Sequence, residues 1–228
     1  MEKVLISSLH STQKLRRLLK KYGFSIVNKN PDFILVYGGD GSVLFTERRY
    51  SSIPKLIIKK TEICRKCDYT FGSLKSILPK IKSGKFKIKK EMKLEAEVNG
   101  KKLVALNEIQ LHTKIPIRAV RFSLSVNGKI FETLIGDGVV ISTPFGSSAY
   151  FSSVGGKIFA RGIGISFNNL HNKKLKTFIA TENARIKIRI IRDNAWLAAD
   201  NDEKLISLNP KDIVTIKRSN KVAKFIEF

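Results

Sequence analysis

The chain is short of acid. Its 19 Asp and Glu face 43 Lys and Arg, a formal net charge of +24. Such a balance suits nucleic acid, an anionic membrane surface or a polyanionic small substrate. The basic residues are spread along the chain, aromatics do not interleave with them, and no nucleic-acid motif is present, so nucleic acid is not expected as a partner. The densest run is Lys80, Lys82, Lys85, Lys87, Lys89 and Lys90; its alternation with Phe86 and Ile88 predicts a strand with one solvated basic face. An abundance of Lys, Arg and Ile also fits a thermophile or an AT-rich genome, which composition does not separate. Cysteine is almost missing. Cys64 and Cys67 form a single Cys-x-x-Cys, which could be half a zinc site, a redox pair or a disulfide. With no second cysteine pair and with His10, His112 and His171 scattered, no structural zinc site is expected. A thiol pair or a local disulfide without catalytic role is the plainer reading, with Arg65 and Lys66 placed to lower a thiol pKa. No apolar run approaches the roughly 20 residues of a membrane helix, so no membrane is expected. Met1–Ile6 is too short for a signal peptide and reads as a first strand, which points to the cytoplasm.

What is present divides in two. The first third alternates strand and helix signals: strands at Val4–Ser7, Phe24–Val27, Phe33–Val36 and Lys55–Ile58, helices at Thr12–Lys21 and Thr70–Ile81, with Gly23 ending the first helix. From Phe86 the period becomes two. Asn99-Gly100 and Asn127-Gly128 are hairpin turns joining Lys93–Val98 to Leu103–Leu111 and Ile117–Val126 to Lys129–Leu134. Ile186, Ile188 and Ile190 alternate with Lys187 and Arg189, and Ile213–Lys217 follows a Pro210-Lys211-Asp212 turn. The expected fold is α/β plus β: an N-terminal α/β domain over residues 1–84 with a mostly parallel sheet, and a mainly-β domain over 85–217. In the tail 218–228, the residues Val222–Phe228 are apolar enough to pack against the first domain, though the sequence does not by itself show that they do. A short Ser83-Gly84 hinge would set a ligand cleft between the two.

Two segments carry chemistry. Tyr37-Gly38-Gly39-Asp40-Gly41-Ser42 follows the apolar strand Phe33–Val36 and precedes a helix start at Val43–Arg48. Strand, glycine turn and helix form a layout in which backbone N–H groups meet an anion. Asp40 repels bare phosphate, so a carboxylate there fits a hydroxyl, a magnesium ion, or both; its structural alternative is an N-cap. The second segment is residues 136–156, GDGVVISTPFGSSAYFSSVGG: a buried strand, then a hydroxyl-rich turn. It reads as a carboxylate and a turn serving one ligand, with Tyr150 as a core residue in the alternative. Asn107-Glu108 lies between these segments; adjacent strand residues point to opposite faces, so both reach one ligand only at a strand end.

In their order, Gly38-Gly39-Asp40-Gly41, Asn107-Glu108 and Asp137-Gly138 through Ser142-Thr143-Pro144-Phe145-Gly146-Ser147-Ser148-Ala149-Tyr150 resemble the motifs of the NAD kinase family. The chain departs from that pattern at Phe145, where Thr or Ser is usual, and at Ser148, which replaces a Thr. A GIN-G-x-GF stretch is replaced by Pro54–Thr61, and a later Asp-Gly pair corresponds to Asp200-Asn201. The resemblance implies a two-domain kinase that phosphorylates the adenosine ribose 2′-hydroxyl of NAD to give NADP, with magnesium and either ATP or polyphosphate. It implies Asp40 as the catalytic residue, with Gly38, Gly39, Gly41 and Ser42 around the phosphates. Asn107 would read adenine, Glu108 a ribose hydroxyl, and Asp137 would sit at the nicotinamide end. Ser148, Ala149, Tyr150 and Ser153 would line the adenine and ribose pocket. It also implies a homodimer or homotetramer whose second domain completes the site across subunits. The rival readings are a basic nucleic-acid-binding protein with a kinase-like fold, and a GGDG-type kinase with another acceptor.

Overall fold

Leu15 and Leu19, four residues apart on α1 (Gln13–Lys21), are fully buried, and their spacing is what makes that segment an amphipathic helix. Burying each is worth about 1.5–3 kcal/mol. They pack on β1 (Lys3–Ser7), β2 (Ser25–Ile26) and β3 (Phe33–Gly38), whose apolar run is buried on both faces as a parallel strand requires. This computed structural model describes residues 1–60, 62, 64–171 and 175–228; Thr61, the end of the Pro54–Thr61 stretch, lies outside them. The chain forms two compact units, Met1–Glu91 with Lys221–Phe228, and Met92–Asn220.

In the first unit α2 (Asp40–Arg49) follows β3, then come β4 (Lys55–Lys59), β5 (Tyr69–Thr70), α3 (Leu74–Lys82) and the start of β6 (Lys87–Val98). The parallel order is β2-β1-β3-β4, with β5 beside β4. The helix expected over Thr70–Ile81 begins only at Leu74, because Thr70 pairs in β5 and its N–H is taken by Ser73 Oγ at 3.2 Å. Pro79 inside α3 lacks the N–H that would bond the Lys75 carbonyl. The Tyr22 hydroxyl donates to that carbonyl instead, at 3.4 Å. Lys55 is fully buried, pairs with Glu47, and donates to the carbonyls of Tyr50 and Ile53 at 2.7 and 2.8 Å. A buried charge needs that full set of partners.

The second unit continues β6 and adds β7 (Lys101–Ala105), β8 (Glu108–Thr113), β9 (Val120–Val126), β10 (Lys129–Gly136) and β11 (Gly138–Ser142). A 3₁₀ turn (Phe145–Ser148) and the short α4 (Tyr150–Ser153) follow. The remaining strands are β12 (Ile163–Asn168), β13 (Phe178–Ala180), β14 (Ile186–Arg192), β15 (Ala195–Ala199), β16 (Ile206–Leu208) and β17 (Ile213–Glu227). β10-β9-β14-β17 and β13-β12-β11-β8-β15-β16 are antiparallel layers sharing one core that includes Phe122, Leu124, Ile141, Ile165, Ile188 and Leu197. β17 continues as strand into the first unit, where Phe225 pairs in parallel with Lys55. The unit boundary falls inside β6, whereas the sequence places it at the Ser83-Gly84 turn that ends α3. The strand expected over Leu103–Leu111 is two strands, broken at Leu106-Asn107 where a side chain takes the backbone N–H groups. The strand expected from Ile117 starts at Val120; a turn with Arg118 N–H to the Ile115 carbonyl precedes it. Among the described residues no helix is long and apolar enough to cross a membrane.

Candidate functional site

Gly38 ends β3 and Gly39 is the extended residue before α2, so Gly39 and not Asp40 is the N-cap. Among the described residues the Asp40 carboxylate accepts no N–H of its own helix. It stands in the first turn of α2, and Ser42 Oγ occupies the space that a Cβ on Gly38 would need. Both Asp40 oxygens accept backbone N–H groups from the Cys-x-x-Cys loop: Oδ2 from Arg65 and Oδ1 from Lys66, each at 3.1 Å. Cys64 Sγ lies 3.2 Å from Oδ1, and Cys64 and Cys67 are joined as a disulfide. Burial holds the Lys66 ammonium below the usual lysine range, against the pull of Asp40 and Glu91.

In a parallel sheet the carboxyl ends of the strands are where ligands gather. A cavity of about 570 Å³ opens there in the first unit, lined by His10, Ser11, Lys14, Tyr37, Lys60 and Phe71. Ser8 Oγ ties the loop after β1 to the end of β3 by donating to the Tyr37 carbonyl at 2.7 Å. Lys60 N–H donates to the Gly38 carbonyl at 3.1 Å, and its Nζ lies 5.9 Å from the Tyr37 ring. Two lysines thus share a cavity with Tyr37, the residue before the GGDG turn. Sequence spacing does not single them out, because one stands at the start of α1 and the other in the loop after β4.

In the second unit Asn107 and Glu108 are both buried, at the bend and first residue of β8. This is the strand end that two adjacent polar residues need in order to serve one ligand. Asn107 Oδ1 has no hydrogen-bond partner among the described residues. Glu108 Oε1 accepts from Gln110 Nε2 at 3.3 Å. Asp200, at the end of β15, takes the backbone of this segment: Oδ2 accepts Leu106 N–H at 2.9 Å, and Oδ1 accepts Asn107 and Glu108 N–H at 2.7 and 3.2 Å. Burial pushes the Asp200 carboxyl above its usual range, opposed by these three donors and by Lys93. The sequence marked Asp200-Asn201 only as a departure from a motif; its work on the backbone of a segment far upstream left no signal.

The hydroxyl-rich turn is fastened to the same segment. Thr143 N–H donates to the Asn107 carbonyl at 2.8 Å, Thr143 Oγ1 donates to the Leu106 carbonyl at 2.6 Å, and Gly146 N–H returns to Thr143 Oγ1 at 3.0 Å. Gly146 lies so close that a Cβ on it would meet the Asn107 backbone. Ser148 and Ala149 are half-buried, Ser153 is exposed, and Tyr150 at 41% exposure is no core residue. Asp137 stands elsewhere. Gly138 pairs with His112 and Ser142 with Glu108, so Asp137 and the turn lie at opposite ends of β11, roughly 15 Å apart at ~3.3 Å per residue. Asn169 Nδ2 donates to Asp137 Oδ2 at 2.6 Å. Within one chain the structure brings together Asn107, Glu108 and the turn, and leaves Asp137 apart.

The family model described as "ATP-NAD kinase C-terminal domain" matches residues 106–228. The NAD kinase of Thermoplasma acidophilum is 29% identical over 217 residues, 93% of this chain and 79% of that protein. The NAD kinase of Picrophilus torridus is 30% identical over 235 residues, 98% of this chain and 86% of that protein. In fold, the chain matches yeast NADH kinase complexed with NADH at a TM-score of 0.87 and 17% identity, covering 100% of this chain and 84% of the other. It matches an NAD kinase from Archaeoglobus fulgidus in complex with ATP at 0.84 and 20%, covering 99% and 93%. Motif order, the fold of both units and relatives that span nearly the whole chain agree: the chain belongs to the NAD kinase family.

Proposed function

We propose that the chain transfers a phosphoryl group from magnesium-bound ATP or from polyphosphate to the adenosine ribose 2′-hydroxyl of NAD, giving NADP. The observation that carries this reading is the buried Asn107 Oδ1 without a partner, beside a buried Glu108. An amide at a strand end offers one acceptor and one donor edge, which suits the exocyclic amine and a ring nitrogen of adenine. Glu108 accepts from a ribose hydroxyl. Ser148, Ala149, Tyr150 and Ser153 line the nucleoside pocket, and Asp200 positions the 106–108 backbone.

Asp40 accepts the proton of the 2′-hydroxyl as the hydroxyl oxygen attacks the terminal phosphorus, whose bond to the bridging oxygen breaks to release ADP or a polyphosphate one unit shorter. Phosphoryl transfer depends mostly on placement and charge neutralisation. Lys14 and Lys60 fit the donor phosphates, with the backbone of Gly38, Gly39, Gly41 and Ser42 beside them. The magnesium that travels with the donor would meet Asp40, the carboxylate of the GGDG turn, and neutralise phosphate charge there. Asp137, set apart in its own chain, serves the nicotinamide end in a cytoplasmic homodimer or homotetramer, where a second copy supplies it. A monomeric mass in solution counts against that assembly.

The test is NADP formation from NAD and magnesium with ATP or polyphosphate, wild type beside Asp40→Asn. A general base contributes about 10²–10⁴-fold, so kcat should fall by that factor while NAD affinity holds. Turnover within about tenfold of wild type removes Asp40 from the base role. The better donor settles the donor class.

A further inference from the structure

The phosphoryl transfer described above makes no use of Cys64 and Cys67, yet their loop lies against its base. In the disulfide, Cys64 Sγ carries no hydrogen, so its 3.2 Å approach to Asp40 Oδ1 is a contact and not a hydrogen bond. On reduction the same place holds two thiols and a carboxylate. The ligand atoms of Asp40, Cys64 and Cys67 all lie within 4.8 Å of one another, and all three residues are half-buried. Cys-x-x-Cys is the spacing of half a tetrahedral zinc site, and a carboxylate oxygen is an ordinary zinc ligand. The thiols ligate as thiolates, and three anionic donors at this spacing are tolerated only with a cation among them. The Arg65 and Lys66 N–H groups fix the carboxylate from the loop side and leave each oxygen a second lone pair.

We propose that the reduced cysteine pair and Asp40 bind one zinc-class divalent cation, which takes the carboxylate away from the 2′-hydroxyl and halts the kinase. A dithiol opens the site: the Cys64–Cys67 bond breaks, the reductant closes its own disulfide, and its two protons end on the cysteine sulfurs. Metal binding then releases those protons. The disulfide is the form that cannot hold the cation. The inhibition rests on the reading of Asp40 as base; the binding does not. The third donor, Asp40, comes from the start of α2 and so stands outside any cysteine or histidine spacing.

The full chain is reduced with dithiothreitol, desalted without air, and titrated with Co²⁺ alone in the absence of nucleotides. Reduced protein should bind one Co²⁺ per chain with a thiolate-to-cobalt charge-transfer band, and oxidised protein none. Cys64→Ser and Cys67→Ser, each checked for fold by circular dichroism, should lose the band. Asp40→Asn, which keeps both thiols and loses the anionic oxygen, should keep the band with weaker affinity. Zn²⁺ should displace Co²⁺ and stop NADP formation until a chelator is added. No band on reduced wild type, equal affinity in Asp40→Asn, or full turnover with zinc bound overturns the proposal. Metal-free, reduced Asp40→Asn with full turnover overturns the base role and leaves the metal binding standing.

Discussion

Asn107 is the residue whose chemistry is most visibly incomplete. A buried amide oxygen without a partner costs about 1–3 kcal/mol, a penalty that ligand binding removes. Asn107→Leu, close in volume and without polar atoms, should therefore leave thermal stability unchanged or raise it. The same change should raise KM for NAD about tenfold to a hundredfold, since ~1.4 kcal/mol is a factor of ten. Denaturation and initial rates measured on one preparation decide; a large loss of stability would make Asn107 structural. At this scale the sequence showed which residues carry reactive groups and hid which ones hold them. Asp40 and Asn107-Glu108 stand in short motifs whose backbone context is local. Asp200 acts on N–H groups more than ninety positions upstream, through a pairing of β8 with β15 that no spacing encodes. Lys14 and Lys60 meet beside Tyr37 only because β1, β3 and β4 lie in parallel.

At the scale of elements, the turn after β11 and the start of β8 are one piece of structure. Thr143 binds the carbonyls of Leu106 and Asn107, and Gly146 closes the contact. Gly146→Ala pushes a methyl into backbone, which cannot swing aside as a side chain can. Overpacking of this kind costs about 1–3 kcal/mol. For a chain of this size Tm should fall by about 2–12 °C, at ~2–4 °C per kcal/mol. KM for NAD should rise with it, because the displaced backbone carries Asn107. A melting curve and NAD titration of the variant test both; an unchanged KM would separate the turn from the nucleotide. Elements with a strong period were legible: β9 and β14 alternate buried and open residues as their sequences do. β2 lies inside the strand expected over Phe24–Val27, whereas β5, two residues long, carries too little pattern to read, and α3 is shorter than its apolar spacing suggests because Ser73 turns the chain before Leu74. The break between β7 and β8 was invisible because Asp200, and not a Gly or Pro, makes it.

For the whole molecule, the net charge of +24 is the property neither site explains. The return of the chain through β17 to the first unit is implied by the family resemblance and only permitted by the apolar run Val222–Phe228, and the use of the charge is not legible at all, since basic residues line no single motif. A strongly basic protein raises the local concentration of anions at its surface, and salt removes that advantage as the screening length falls from ~30 Å at 0.01 M to ~3 Å at 1 M. The three candidate substrates differ steeply in charge: NAD carries a diphosphate, ATP a triphosphate, polyphosphate a long row of anions. If the charge serves substrate capture, raising salt from about 0.05 to about 0.5 M should raise KM most for polyphosphate, less for ATP and least for NAD, with kcat nearly constant. The order follows from field strength alone, so it holds whichever donor turns over faster. Initial rates at fixed free magnesium, plotted as log KM against log salt, give three slopes to compare. Equal slopes would mean that the excess charge acts elsewhere than on the donor, and that Lys14 and Lys60 bind phosphate by contact and not by field.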